Sequence, residues 1–257
     1  ILHNENNTYI LESYLQDLNE QQLAAVRYDG GPALVIAGAG SGKTRVLTNK
    51  IMYLVQNGYS PARILALTFT NKAAREMRSR ISSLIGAEMA SMLWMGTFHS
   101  MFLRILRFNA TTIGYPSNFT IYDQTDSRSL VKTIIKEMNI DEKVYKPSAV
   151  ADRISMAKNH LMTALQYANS NNAVTTDMQR RMPAIKDIYL RYSDRCRQAN
   201  AMDFDDLLMN IYLLFANNEE IRRKYAERFE YVLVDEYQDT NFAQQAIVNQ
   251  ITKERQM

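Results

Sequence analysis

The chain has 257 residues, 46% hydrophobic and 22% charged, with a net charge of +3, the balance of an ordinary soluble globular protein. A single cysteine, Cys196, excludes an internal disulfide framework and a multi-cysteine zinc site, and fits a reduced compartment such as the cytoplasm. No apolar run reaches the roughly 18 residues of a membrane span, no signal-peptide pattern opens the chain, and the mild basic excess permits a polyanionic partner without requiring one.

In chain order, LNEQQLAAV (18–26) reads as a short helix capped by Asn19. ALVIAGA is an apolar run ending in glycine, the pattern of a buried strand over 33–37. Residues 44–57 read as a helix stopped by Gly58, ILALTFT (64–70) as a second buried strand, and 71–85 as a helix capped by Asn71 and ended by Gly86. LWMGTFHS (93–100) is a third strand candidate. Strand and helix alternating at this spacing predict βαβ units on a parallel sheet, so the fold class is α/β. From about 101 to 229 helical runs dominate, and YVLV (231–234) is the next strand. More than a hundred helical residues exceed one crossover, which predicts an all-helical subdomain inserted into the α/β core. Ile1 in place of an initiator Met, and the polar KERQM end inside a helical pattern, read as cut ends. The sheet is therefore expected to be incomplete at its C-terminal side.

AGAGSGKT (37–44) lies between the first strand and its helix, the context a phosphate-binding loop needs. Gly38, Gly40 and Gly42, interleaved with Ala39 and Ser41, let backbone N–H groups converge on phosphate oxygens, and the helix N-terminus adds partial positive charge. Lys43 supplies a point charge for the β and γ phosphates and Thr44 a hydroxyl for Mg²⁺. Ala37 stands where the usual first glycine would be. DEYQDT (235–240) follows a strand, at the sheet edge where ligands bind. There Asp235 would hold Mg²⁺ through its water shell and Glu236 would orient and deprotonate the attacking water.

DFDDLL (203–208) admits a metal reading, but capping is favoured: Asp203 as N-cap, Asp205 and Asp206 facing the helix dipole, and Phe204, Leu207, Leu208, Ile211 and Phe215 as one buried stripe. TFTNKAAREMRSR (68–80) sets Lys72, Arg75, Arg78 and Arg80 against Glu76 on a helix that opens beside Phe69. Such a run is usually a solvated face, yet an aromatic beside a positive groove is how single strands are gripped without sequence preference. GTFHS (96–100) adds a further aromatic, hydroxyls and His99.

Taken together, LNEQQLAAV, AGAGSGKTRVL, ILALTFTNKAAREM, GTFHS, MDFDDLL and VDEYQDTN, in this order over residues 18–241, resemble the N-terminal part of the UvrD/Rep/PcrA family of superfamily 1 DNA helicases. The family's own loop reads AGAGSGKT, so Ala37 is no departure from it. The resemblance implies a RecA-like motor subdomain (1A) over 1–103 and 203–257 and a helical 1B subdomain over 104–202. It implies ATP and Mg²⁺ as cofactors, single-stranded DNA as partner, and 3′ to 5′ translocation. Gln22 would read the adenine edge, Arg45 would stack on its face, and Gln238 would lie beside Asp235 and Glu236. Phe69, Thr70, Asn71 and the segment from Thr97 to His99 would contact DNA. The family's second RecA-like domain and its arginine fingers lie outside these residues, which predicts at most weak nucleotide binding by this chain alone. In related P-loop enzymes a missing arginine finger costs roughly 10³–10⁵ in rate.

In P-loop proteins of this type a further strand lies between the 231–234 strand and the P-loop strand. Without it, the sheet either carries a gap or pairs 33–37 directly with 231–235, and the exposed backbone favours self-association. Two other classes remain. A different P-loop enzyme is disfavoured by the missing LSGGQ and NKxD signatures, NKAA (71–74) lacking the Asp. A non-catalytic DNA-binding or docking module that keeps the loop as scaffold is disfavoured by the intact Lys43, Thr44, Asp235 and Glu236.

Overall fold

The computed structural model describes residues 14–38 and 40–253. They divide into two compact units, 14–101 (without Ala39) with 223–239 and 251–253, and 102–222 with 240–250.

The first unit begins with α1 (Glu20–Arg27). Asn19 caps it as expected, in a reciprocal box in which Gln22 N donates to Asn19 Oδ1 and Asn19 N donates to Gln22 Oε1. After the glycine-rich loop, α2 (Lys43–Gln56) leads to β1 (Ile64–Thr68), α3 (Asn71–Ile85), α4 (Ala87–Met92), β2 (Trp94–Thr97) and α5 (Phe98–Asn109). Thr70, not Asn71, caps α3: Thr70 Oγ1 accepts from Ala73 N at 3.1 Å while Asn71 is already helical. The third strand also stops earlier than expected. Thr97 ends it because its hydroxyl accepts from Ser100 N at 3.2 Å, which opens α5 at Phe98. Gly96 permits that tight exit, since a Cβ there would lie 2.6 Å from Ser100 Oγ.

Unit two is helical, built on α6 (Gln124–Glu137), α7 (Pro147–Asn159), α8 (Ala164–Ala168), α9 (Asn171–Gln179), α10 (Ile185–Gln198) and α11 (Phe204–Asn217). Its core gathers Val131, Ile134, Val150, Ile154, Ile188 and Tyr189 with their neighbours. The sequence showed no strand here, yet β3 (Thr120–Tyr122) and β4 (Ala201–Asp203) pair in parallel, Tyr122 opposite Asp203. Three-residue strands carry too short a pattern for period-two alternation to register.

Asp203 caps α11 in a reciprocal box with Asp206, as expected. Leu207, Leu208, Ile211 and Phe215 are buried, but Phe204, in phase with them, is half exposed as the first residue after the cap, at the end of the stripe. The acids serve a lysine rather than a metal. Lys158 Nζ, fully buried, lies 2.6 Å from Asp203 Oδ2 and 2.7 Å from Asp206 Oδ1, and Tyr192 donates to the same Asp203 oxygen at 2.7 Å. Among the described residues no cluster of three or more His, Cys, Asp or Glu is arranged to hold a metal ion.

The chain returns to the first unit through α12 (Glu219–Arg228) and β5 (Tyr231–Val234), and α13 (Phe242–Thr252) follows. The sheet of the first unit has the order β2–β1–β5, all parallel, with Leu67 opposite both Gly96 and Val234. Its core holds Ile51, Leu54, Ile64, Ala66, Met77, Ile81 and Met95. The expected strand over 33–37 does not form. Leu34, Val35 and Ile36 are 68%, 47% and 88% exposed. A strand needs a ladder partner, and among the described residues neither 33–37 nor the outer edge of β5 has one. Neither arrangement expected for the sheet holds: 33–37 does not pair with 231–235, and among the described residues the sheet ends at β5 with no strand beyond a gap.

Among the described residues no helix is long and apolar enough to cross a membrane.

Candidate functional site

The glycine-rich loop is shaped by its own backbone. Ser41 N and Ser41 Oγ both donate to Gly38 O, at 3.3 and 2.6 Å. Gly40 and Gly42 hold left-handed backbones, φ +76° and +85°. At Gly42 the left-handed backbone disfavours any side chain, and a Cβ would also come within 2.9 Å of Gln22 Nε2, which would have to shift. Gly42 is the N-cap of α2 and offers no side chain to its first-turn amides. Those N–H groups therefore face the loop with helix-dipole charge and without a capping oxygen, which suits an anion. Ala39 lies outside the described residues.

Lys43 opens α2, and its Nζ donates to Ala37 O at 3.1 Å, lies 3.5 Å from Gly38 O, and stands 3.9 Å from Glu236 Oε2. Thr44 is the next helical residue, and its carbonyl accepts from Thr48 Oγ1. Gln22 Nε2 donates to Ser41 O at 2.8 Å, which ties α1 to the loop. Arg45 Nη1 reaches Asp17 O at 3.4 Å.

The acids arrive at the same place through strand register. Since Leu67 faces Val234, Asp235 emerges level with the end of β1, and Asp235 N donates to Leu67 O at 2.9 Å. Asp235 is buried, and burial followed by the like charge of Glu236 raises its pKa above the ordinary aspartate value, with Lys43 opposing. Glu236 takes a left-handed backbone, φ +51°, rare for a residue with a side chain. Its carboxylate accepts a hydrogen bond from Gln238 Nε2, and its carbonyl accepts from Asp239 N at 2.9 Å. One lysine, one hydroxyl, two carboxylates and a row of uncapped amides thus meet at the carboxyl end of a parallel sheet. This donor set fits a nucleoside triphosphate with Mg²⁺, which takes few protein oxygens and keeps much of its water.

Register also aligns the DNA candidates. Thr68 faces Thr97, so Phe69, Thr70 and Asn71 leave the sheet beside Phe98 and His99. The Phe69 ring lies 5.4 Å from that of Phe98. Thr70 and Asn71 are exposed, while Phe69, Thr97 and His99 are half-buried. Two of these side chains already have local tasks: Thr70 caps α3, and Thr97 caps the entry to α5. Arg78, counted in the basic run, instead donates to Met95 O at 2.6 Å and so braces α3 on β2. Lys72 pairs with Glu76.

One contributor has no sequence motif. Lys50, two turns beyond Lys43, is buried and donates to Val26 O at 3.0 Å and to Tyr28 O, fastening α2 to the end of α1. A lysine inside an amphipathic helix carries no sequence signal for that role.

A β2–β1–β5 parallel sheet with a glycine-rich anion loop at the head of α2 and paired acids after β5 defines a RecA-like α/β protein of the P-loop class. The UvrD/REP helicase N-terminal domain family matches residues 18–257, and the chain belongs to that family. It is 42% identical over 240 residues to a Leuconostoc citreum protein named ATP-dependent DNA helicase PcrA, covering 93% of this chain and 31% of that protein. It is 44% identical over 239 residues to proteins of the same name from Staphylococcus epidermidis and Staphylococcus aureus, covering 93% of this chain and 32% of each. The chain thus spans about a third of the length of these relatives.

Proposed function

We propose that this chain is the N-terminal portion of an ATP-dependent helicase that translocates 3′ to 5′ along single-stranded DNA, in repair or replication, in the cytoplasm. The observation that carries the reading is the meeting of Lys43 and Glu236, 3.9 Å apart, where the anion loop and the acid turn share one end of the sheet. The division into a motor subdomain (1–103 and 203–257) and an inserted helical subdomain (104–202) belongs to the same proposal.

When bound, Mg-ATP supplies the phosphoanhydride bond whose cleavage drives movement. The residues of this chain position and polarise it. The loop amides from Gly38 to Thr44 and the α2 dipole bind β- and γ-phosphate oxygens, and Lys43 exchanges its carbonyl partners for them. Thr44 and Asp235 would hold Mg²⁺, which would neutralise charge on the phosphates. Glu236 orients the attacking water and accepts its proton, and Gln238 fixes the Glu236 carboxylate. Gln22 turns its amide to the base and Arg45 covers the ring. Phe69, Thr70, Asn71, Thr97 and His99 line the strand-end surface on which single-stranded DNA lies, Phe69 offering ring surface for stacking.

The chain by itself binds nucleotide weakly and turns it over slowly, because the relatives place their activity in a polypeptide about three times as long. Steady-state ATP hydrolysis with and without single-stranded DNA, beside Glu236→Gln, tests this. Little DNA-stimulated turnover in either protein is expected. Robust turnover abolished by Glu236→Gln would show that the chain completes its own site, and would overturn the half-site reading. The alternative, a DNA-binding or docking module that keeps the loop as scaffold, predicts DNA binding indifferent to Lys43→Ala and to nucleotide.

A further inference from the structure

α1 has 8 residues, and of these Val26 alone is buried. A helix so short is marginal in water, where on the order of 12–15 residues are needed even for good helix formers. Its place on the first unit therefore depends on what grips it from outside. At its N-terminal end Gln22 Nε2 donates to Ser41 O at 2.8 Å, and just ahead of it Arg45 Nη1 reaches Asp17 O at 3.4 Å. At its C-terminal end Lys50 Nζ donates to Val26 O at 3.0 Å and to Tyr28 O. The last carbonyls of a helix lack intrahelical donors and carry the negative end of its dipole, so an ammonium there answers both. The ring centroids of Tyr53 and Tyr231 lie 5.2 and 5.7 Å from the same ammonium and favour its charge in a buried place.

The two ends differ in what a ligand would do to them. Gln22 and Arg45 are the side chains assigned to the base in the function proposed above. Turning to the base, they give up Ser41 O and Asp17 O, and the N-terminal ties of α1 go with them. The tie at Lys50 involves no group that a nucleotide would claim. Lys50 also follows Lys43 by two helical turns, so both leave α2 on one face. A single helix thus carries the phosphate-binding lysine at its head and the grip on α1 further along. All of these residues belong to the first unit.

We propose that Lys50 is a positioning residue for base recognition: by gripping the C-terminal carbonyls of α1, it keeps Gln22 over the phosphate loop when Gln22 and Arg45 turn to the base. The consequence for nucleotide rests on the function proposed above, whereas the hold on α1 does not.

The first arm of the test is hydrogen exchange on the whole chain. In Lys50→Met, which keeps the length and loses the ammonium, the α1 amides of Leu23 and Tyr28 are expected to exchange about tenfold faster, while those of β1 keep their rates. Lys50→Arg keeps donors and charge, and is expected to stay within about threefold of the original chain. Should Lys50→Met fail to fold, Lys50→Gln carries the same comparison. Unchanged exchange in α1, or equal acceleration through β1, would overturn the proposal. The second arm titrates Mg-ATP and Mg-tripolyphosphate, which has no base. Lys50→Met is expected to weaken ATP several-fold and to leave tripolyphosphate within about twofold, and in a Gln22→Ala background it adds little to the loss for ATP. Equal weakening of both ligands would mean that Lys50 acts on the loop at large, and would overturn its role in base recognition. Lys43→Ala should weaken both ligands. ATP binding indifferent to Lys43→Ala would sink the nucleotide reading instead, and the exchange arm then decides the hold of Lys50 on α1.

Discussion

Gly42 concentrates the constraints of the loop in one residue. Its φ of +85° strains any side chain, and a Cβ would meet the amide that Gln22 turns toward Ser41. Gly42→Ala is expected to destabilise the first unit by about 1–3 kcal/mol and to loosen the bond from Gln22, seen as a lower thermal midpoint of the chain. The acids around Lys158 give a second prediction. Two carboxylates surround one ammonium, and burial with the charge of Asp203 pushes Asp206 up to about 6. The folded value lies above the unfolded one, so the contribution of this group is full below about pH 4 and is lost as pH rises to about 6. A denaturation series should show this loss between pH 4 and 6, and Asp206→Asn should flatten it. Asp235 is raised in the same direction by burial and Glu236. If Asp235 holds the metal as proposed, that binding should start to weaken, as pH falls, at a higher pH than an ordinary aspartate would give.

At the scale of elements, α3 shows how a residue can hold two tasks. Thr70 leaves the sheet among the DNA candidates, yet its hydroxyl already accepts the Ala73 amide. Thr70→Ala should cost about 1 kcal/mol through the lost cap whether or not DNA is present, while Thr70→Ser should keep most of it. Chemical denaturation without DNA separates this from any effect on DNA affinity. Such double use also marks what the sequence could and could not tell. The loop, the acid pair and the long helices were legible because each has a local pattern: glycine spacing, acids after an apolar strand, and period 3.6. The caps at Asn19 and Asp203 were legible for the same reason. The strand at 33–37 was misread because an apolar run records only the wish to be buried, and a ladder depends on a partner far along the chain. Phe204 has the spacing of the stripe but stands at the first position of the helix, where periodicity does not tell whether a neighbour covers it. The β3–β4 pair was invisible because three residues carry almost no period. Lys50 and Lys158 act across 22 to 45 residues of sequence, where no local rule reaches.

For the molecule as a whole, the consequence of the unformed 33–37 strand is surface. Leu34, Val35 and Ile36 stand exposed, and the outer edge of β5 has no ladder partner among the described residues. Exposed apolar surface and an open strand edge each recruit another chain. Sedimentation velocity should show mass increasing with concentration, and Ile36→Lys should move the distribution toward monomer without lowering the thermal midpoint. A monomer at all concentrations would contradict this.

The register of the sheet also sets a timetable. Its central strand, β1, waits for β5, and the paired residues Ile64 and Tyr231 are more than 160 positions apart in the chain. At roughly 5–20 residues per second, a ribosome needs about ten to thirty seconds between making one strand and the other. The helices of α6 to α11 all emerge within that interval. A nascent chain stalled before residue 231 should therefore carry a folded helical insert and a β1 edge still open, the species on which a chaperone would act.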